Sequence, residues 1–228
     1  MVIKLNDYRF DPATIQIKDQ IEEIGGRNRR RITLSGIIAD KPTVEEVEQV
    51  LDAIYYAASH TTYDNELSLR EGRRLWVRCC AGTRRVGMEI GFGAFELLLE
   101  SRDLTEESIA IEQQIWAIAS SGATFALSTI GSAPALPTIV LTAAASLVAP
   151  SFSDGERRIV FPGTVSPGAT LCLDASQGKV ILNTTDVTPY VVGKFPRIVS
   201  PETVWTYSDE SSTNPVGEAV ISYHHRWW

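Results

Sequence analysis

Few residues of this 228-residue chain have the type and spacing that chemistry requires. Its histidines are His60, His224 and His225, and its cysteines are Cys79, Cys80 and Cys172. A zinc site needs three or four converging ligands, and the chain has neither a CxxC nor an HxH pair to begin one. Cys79 and Cys80 are adjacent, so on a strand they point to opposite faces, which weighs against a shared metal or a redox pair. His224 and His225, neighbours on the final strand, face opposite ways by the same argument. His60 follows a helical segment and reads as a partner for that helix's negative end or as a surface residue.

Nucleophilic catalysis has no better foothold. The strained GxSxG setting of a serine nucleophile is missing. Gly87, Gly91 and Gly93 lack the strand–turn–helix context of a dinucleotide fingerprint. The paired carboxylates Glu45 and Glu46 stand at the start of a helix, where the positive end of the dipole is reason enough for them. A glycoside hydrolase needs only two carboxylates and leaves no local signature, so a hidden glycan hydrolase stays as a distant reading. The expectation is a protein with no catalytic, cofactor-binding or metal-binding residues, and not an enzyme.

The elements around these residues are mostly strands. Thr14–Lys18 and Arg31–Gly36 alternate, with Gly25-Gly26 as a turn between them. The clear helix spans 43–58. Thr43 and Glu46 have the capping-box spacing, and Val44, Val47, Val50, Leu51, Ile54 and Ala58 form one stripe. Leu75–Cys80 and Met88–Phe92 read as strands joined by a turn at Ala81-Gly82-Thr83, and Ala94–Glu100 as another strand. Residues 105–121 fit a helix or a strand on periodicity alone. From Gly131 the chain becomes a relay of short strand candidates: Thr138–Thr142, TLCLD at 170–174, KVIL at 179–182 after the Ser176-Gln177-Gly178 turn, GKFPRIV at 193–199, and AVISYHHRWW at 219–228. Short strands with Gly and Pro punctuation point to an antiparallel sandwich. Ser208–Gly217 is polar and reads as a mobile loop.

Composition limits the function classes. A hydrophobic content of 44% with 21% charged residues is that of a globular protein, and a net charge of -7 argues against a specific nucleic-acid binder. The N-terminal MVIKLNDYRF lacks the apolar core of an export signal. The most apolar run, Leu136–Pro150, is too short to span a bilayer, so no membrane partner is expected. Three sparse cysteines imply synthesis in a reducing cytoplasm and no disulfide framework. Within this acidic chain residues 27–85 are locally basic, with eleven Lys/Arg against eight Asp/Glu. Arginines alternating along strands usually form a solvated face, and they also mark subunit contacts.

Four segments in the second half carry a family resemblance. Gly131-Ser132-Ala133-Pro134-Ala135-Leu136-Pro137-Thr138-Ile139, Pro167–Asp174 with Gly178-Lys179-Val180, Gly193–Ile198, and Ala219–Trp227 resemble, in this order, the C-terminal domain of siphophage-type distal tail proteins, the Dit family. Arg31–Gly36, the helix, a hairpin and Ala94–Leu97 are compatible with the family's N-terminal domain. The family's usual Pro-Gly after the Gly193–Ile198 turn is here Ser200-Pro201-Glu202, so that turn must differ. The sandwich carries no large insertion, which makes direct binding of host sugars less expected.

The resemblance implies a mainly β fold with one clear helix. An N-terminal β-sandwich or hairpin domain, 1–104, would form the ring, and 105–228 would be a galectin-like antiparallel β-sandwich, with 105–122 its first, extended strand. It implies a structural virion protein of the tail tip or baseplate, made in the host cytoplasm. The chain would assemble with itself into a ring, usually hexameric, at the distal end of the tail tube. Its other partners would be the tail tube protein, the baseplate hub or tail-associated protein, and the receptor-binding or fibre protein used in host attachment.

A closed ring needs a heterologous interface between two different patches. The candidate residues are Arg27, Arg29, Arg30, Arg31, Arg74 and Arg78 on the basic side and Glu45, Glu48 and Asp52 on the acidic helix face. The alternative is a carbohydrate-binding module, which needs exposed aromatic platforms; Trp205, Tyr207 and Tyr190 are its candidates, although aromatics more often pack a core.

Overall fold

In the computed structural model, which describes residues 3–39, 41–59, 62–87, 91–211 and 216–228, the two alternating N-terminal segments pair with each other. The short strands β1 (Ile3–Leu5) and β2 (Tyr8–Phe10) come first, then the long hairpin of β3 (Ile15–Ile24) and β4 (Arg27–Ile38). Gly25 and Gly26 form its two-residue loop at φ of 59° and 75°. Both are left-handed, as a loop matched to the twist of its strands requires, and glycine adopts that conformation without strain.

Helix α1 (Val44–Ala57) begins where the capping signal expects it, with the Thr43 hydroxyl accepting from the Glu46 amide at 3.2 Å. Val47, Leu51, Ile54 and Ala57 are its buried face. Strands β5 (Asn65–Ser68), β6 (Arg73–Gly87), β7 (Phe92–Ser101) and β8 (Glu106–Ser108) follow. The antiparallel sheet runs β2-β1-β5-β6-β7-β4-β3, and α1 packs on it over β6 and β7. A Cβ at Gly93 would lie 2.5 Å from Val47 Cγ1, and one at Gly82 would lie 2.7 Å from the Tyr55 ring. The helix therefore sits close to the sheet because two strand residues lack side chains.

Two sequence expectations in this region are corrected. Ala81-Gly82-Thr83 is not a turn but the middle of the 15-residue β6. The register slips there, Cys79 facing Leu99 and Ala81 facing Leu98, so Cys80 is the extra residue of a β-bulge. Gly82 is small to admit Tyr55, not to reverse the chain. Residues 105–122 are largely extended, with strands at 106–108 and 112–118, but β8 pairs with β6, with Arg73 opposite Ser108. The chain divides into two compact units, Met1–Ile109 with Trp228, and Ala110–Trp227. His60, Met88–Ile90 and residues 212–215 of the 208–217 loop lie outside the described residues.

The second unit contains β9 (Glu112–Ile118), β10 (Thr124–Ser128), β11 (Thr138–Ala143), β12 (Leu147–Val148), β13 (Ser151–Ser153), β14 (Arg158–Val160), β15 (Thr164–Val165), β16 (Thr170–Asp174), β17 (Lys179–Leu182), β18 (Thr185–Asp186), β19 (Val192–Gly193), β20 (Glu202–Ser208), β21 (Gly217–Tyr223) and β22 (Arg226–Trp227). One antiparallel sheet has the order β18-β17-β16-β11-β21-β9 and the other β10-β20-β13-β14-β19. Their inner faces share one core that includes Trp116, Leu141, Phe152, Leu171, Trp205 and Ile221. The alternation read in TLCLD is real: Leu171 and Leu173 face this core, and Cys172 faces away. GKFPRIV, by contrast, contributes only the end of β19 and a single bridge from Ile198 to Ala135. Proline 196 has no amide to donate to a ladder. The Ser200–Pro201 peptide is cis. The mainly β fold with one α-helix is thus the fold of the chain.

Candidate functional site

The densest grouping of charged side chains lies in the first unit, where β4, β6, β7 and β8 meet. Register alone brings Arg31 and Arg78 opposite Glu100 on either side of it. Glu100 is 3% exposed. Its Oε1 accepts from Arg29 Nη1 at 2.6 Å, Tyr63 Oη at 2.5 Å and Arg78 Nη2 at 2.9 Å. Arg78 also stacks over the Tyr63 ring, 5.0 Å from its centre.

A second node forms around Arg30, which is 5% exposed. It grips Asp19 with two parallel bonds, Nε to Oδ1 at 2.9 Å and Nη2 to Oδ2 at 2.6 Å. It also donates to the Leu104 carbonyl at 3.0 Å and to Glu106 at 3.2 Å. Glu106, 2% exposed, takes a further bond from Arg70 at 2.6 Å. A third node joins Arg74 and the Trp76 indole to Glu107, at 2.9 and 2.8 Å.

The electrostatics of these nodes is that of a clamp. Burial opposes ionisation of Glu100, but the bonds from Tyr63 and Arg29 and the arginine charges outweigh it and hold the carboxyl below its ordinary value. Burial and the adjacent carboxylate push the Tyr63 hydroxyl up. Burial works against the Arg30 charge, and Asp19 and Glu106 more than restore it. The Glu100 and Tyr63 shifts both run away from neutrality, so this pair is poised to fix geometry and not to move protons near pH 7.

The predicted interface residues divide accordingly. Arg29, Arg30, Arg31, Arg74 and Arg78 all have carboxylate partners in their own chain, Arg31 pairing with Glu22 at 3.1 Å. Asp52 accepts from Arg84 at 2.5 Å, joining the acidic helix face to the basic hairpin within one subunit. Arg27, Glu45 and Glu48 are exposed. Sequence reasoning missed Glu100, Glu106 and Tyr63. The only signal for Glu100 is a carboxylate closing the apolar run FELLLE.

The remaining candidates are scattered. His224 and His225 follow β21 instead of lying on it; their Nδ1 atoms meet the Ala110 carbonyl at 3.2 Å and Thr129 Oγ1 at 2.9 Å. Cys79, Cys80 and Cys172 are free thiols. Among the described residues no three His, Cys, Asp or Glu side chains converge as metal ligands, and no helix is long and apolar enough to cross a membrane. Trp205 and Tyr207 are fully buried in the sandwich core, and Tyr190 alone of the three sugar-stacking candidates is exposed, at 68%. One aromatic ring is a poor platform for a glycan.

Two concavities among the described residues lie against the first sheet. The smaller, about 240 Å³, is lined by Arg27, Arg29, Tyr63 and Glu100 and belongs to the Glu100 node. The larger, about 730 Å³, lies between α1 and the β1–β5–β6 edge, with Tyr8, Tyr56 and Trp76 among Asp7, Asp64 and Glu66.

No family model and no curated protein matches the chain. Among solved structures it is similar to the SPP1 Dit (gp 19.1) protein, described as a paradigm of the hub adsorption apparatus in phages infecting Gram-positive bacteria. The identity is 12%, the TM-score is 0.65, and the match covers 100% of this chain and 93% of that one. A β-porphyranase of glycoside hydrolase family 86 from Bacteroides plebeius aligns over 92% of this chain and 36% of its own at 9% identity, with a TM-score of 0.25 that carries no argument. From end to end, the chain has the fold of a phage Dit protein.

Proposed function

We propose that this chain is a structural protein of a phage tail, forming a ring at the distal end of the tail tube and joining it to the baseplate hub and to receptor-binding or fibre proteins. The observation that carries the reading is the likeness to the SPP1 Dit protein over the full length, across both units, and not over a sandwich alone. The four ordered motifs between Gly131 and Trp227 support it independently.

Ring closure asks for two different surfaces on one subunit. The first sheet ends in β2 on one side and β3 on the other, and β3 is a ten-residue edge strand. Long edge strands are avoided or covered in stable proteins, because their free backbone groups recruit another chain. Two unlike edges on one sheet suit a head-to-tail assembly. The protein acts by assembly, and the charged nodes hold the sheet in shape while it does so.

Antibody labelling of intact virions from the phage or prophage that carries the gene tests this. The expected result is label confined to the tail tip. Particles that lack the protein, or carry it in the capsid, would overturn the proposal.

A further inference from the structure

The smaller concavity of the first unit is walled by guanidinium groups. Arg27, Arg29 and Arg31 alternate along β4 and so share one face of the sheet, opposite the face of the buried Arg30 and Ile32. Register sets Glu100 between Arg31 and Arg78 on that face. Strand β7 ends at Ser101, and Arg102 follows it into the lining of the same pocket. The whole chain has a net charge of -7, so this gathering of arginines runs against its overall balance.

The carboxylates at hand do not neutralise it. Glu100 is buried, and its Oε1 is already taken by Arg29, Tyr63 and Arg78. Arg27, Arg29, Arg78 and Arg102 set four positive charges against the two negative ones of Glu100 and Asp103, an excess of two. Arg31 and Glu22 beside them cancel. Arg27 and Arg102 are exposed and, among the described residues, have no side-chain partner. The Nε atoms of Arg31 and Arg78 are buried without an acceptor among the described residues. Donors therefore outnumber acceptors on this face, which favours an incoming anion.

Charge and size select that anion. A carboxylate or a phosphodiester carries one negative charge and would leave half of the excess uncompensated. A phosphate monoester carries about -1.5 to -2 charges at pH 7. Its oxygens accept two parallel bonds from a guanidinium, a geometry that suits arginine. Asn28, also in the lining, adds a neutral amide donor. The pocket's volume of about 240 Å³ lies below the roughly 300–1,000 Å³ of sites for drug-sized ligands. It equals about eight waters at roughly 30 Å³ each, room for one phosphate group with a small carrier and not for a length of polymer.

We infer that this pocket is a binding site for a phosphate dianion, either inorganic phosphate or the terminal phosphate of a small ester. The inference stands on the first unit alone and does not depend on ring formation.

Equilibrium dialysis of the full chain against radiolabelled inorganic phosphate, at about one-tenth of physiological ionic strength, tests it. Saturable binding of one phosphate per chain is expected. Glycerol 3-phosphate should displace it, whereas acetate and dimethyl phosphate, each singly charged, should compete about tenfold less well or worse. An ester that displaces at lower concentration than unlabelled phosphate identifies the ester as the source, and equal displacement identifies the free anion. Arg27→Ala with Arg102→Ala removes only side chains without partners and should weaken binding about tenfold or more, since hydrogen bonds to charged groups are the strong ones. Arg27→Lys with Arg102→Lys keeps the charge, loses the fork and should recover part of the affinity. Arg9→Ala, at an exposed position on β2, should leave it unchanged. The inference is overturned by the absence of saturable binding, or by singly charged competitors that match the dianions. Unchanged affinity in the double alanine variant, or an equal loss in Arg9→Ala, overturns it too.

Discussion

Replacing Arg30 by Ala separates a structural cluster from a surface patch. Arg30 is the only one of the sequence-predicted interface arginines that is buried, and its fork makes four hydrogen bonds. Breaking a buried pair by removing one partner costs about 3–5 kcal/mol, because the other charge is left without compensation. Here the lower end applies. Glu106 keeps Arg70 at 2.6 Å, and the Asp19 side chain is 30% exposed and can turn to water. About 3 kcal/mol is a large part of a typical domain's 5–15 kcal/mol. With a urea slope of about 2 kcal/mol per molar, the midpoint should fall by about 1.5 M. Arg30→Lys keeps the charge but loses the fork, and should recover only part of this. Arg27→Glu, on an exposed residue of the same strand, should cost under about 1 kcal/mol. Urea melts at one fixed protein concentration, followed by circular dichroism, read all three. A midpoint shift below about 0.3 M for Arg30→Ala, or equal shifts for Arg30→Ala and Arg27→Glu, would show that the node does not hold the sheet. The same result fixes how assembly should be probed. Charge reversal at Arg29, Arg30 and Arg31 together would disturb folding, whereas Arg27, Glu45 and Glu48 test the surface.

Three further outcomes follow from the geometry. Gly93→Ala drives a methyl against Val47 and should destabilise the first unit by about 1–3 kcal/mol, read as a lower thermal midpoint; an unchanged midpoint would mean that α1 does not sit where the strand glycines allow it. Glu100 has a folded-state pKa below its unfolded value of about 4.3, so its stabilisation is present above that pH and lost as the pH falls through the folded value. Wild type should therefore lose more stability than Glu100→Gln as the pH is lowered below about 4.3, and parallel acid titrations would contradict the assignment. Trp205→Ala should cost about 3–5 kcal/mol as a core deletion, while Tyr190→Ala should leave the unfolding free energy from urea melts within about 0.5 kcal/mol of wild type.

Local chemistry made much of the fold legible. The capping residue Thr43, the Gly25-Gly26 loop and the alternation in TLCLD each depend on neighbours within a few positions, and each is found as read. The errors came from residues whose reason is distant. Gly82 looked like a turn residue because its partner, the Tyr55 ring, lies 27 positions away in sequence. The arginine cluster was visible as charge, but Arg29 meets Glu100 71 positions on and Arg30 meets Glu106 76 positions on. Sequence therefore showed the arginines as charge and not the partners that the fold gives them within the chain. Aromatic type alone could not sort Trp205 and Tyr207 from Tyr190. The first two share the inward face of β20, and Tyr190 lies in a short 3-10 turn at Thr188–Tyr190.

The ring reading rests on a fold likeness at 12% identity and on two unlike sheet edges. Its most direct test is the native mass of the purified full chain, by sedimentation and by native mass spectrometry across a range of concentrations. The chain is 25.1 kDa, and the account predicts a closed species of about six copies, near 150 kDa, that persists on dilution. A strict monomer of 25.1 kDa at every concentration would contradict it.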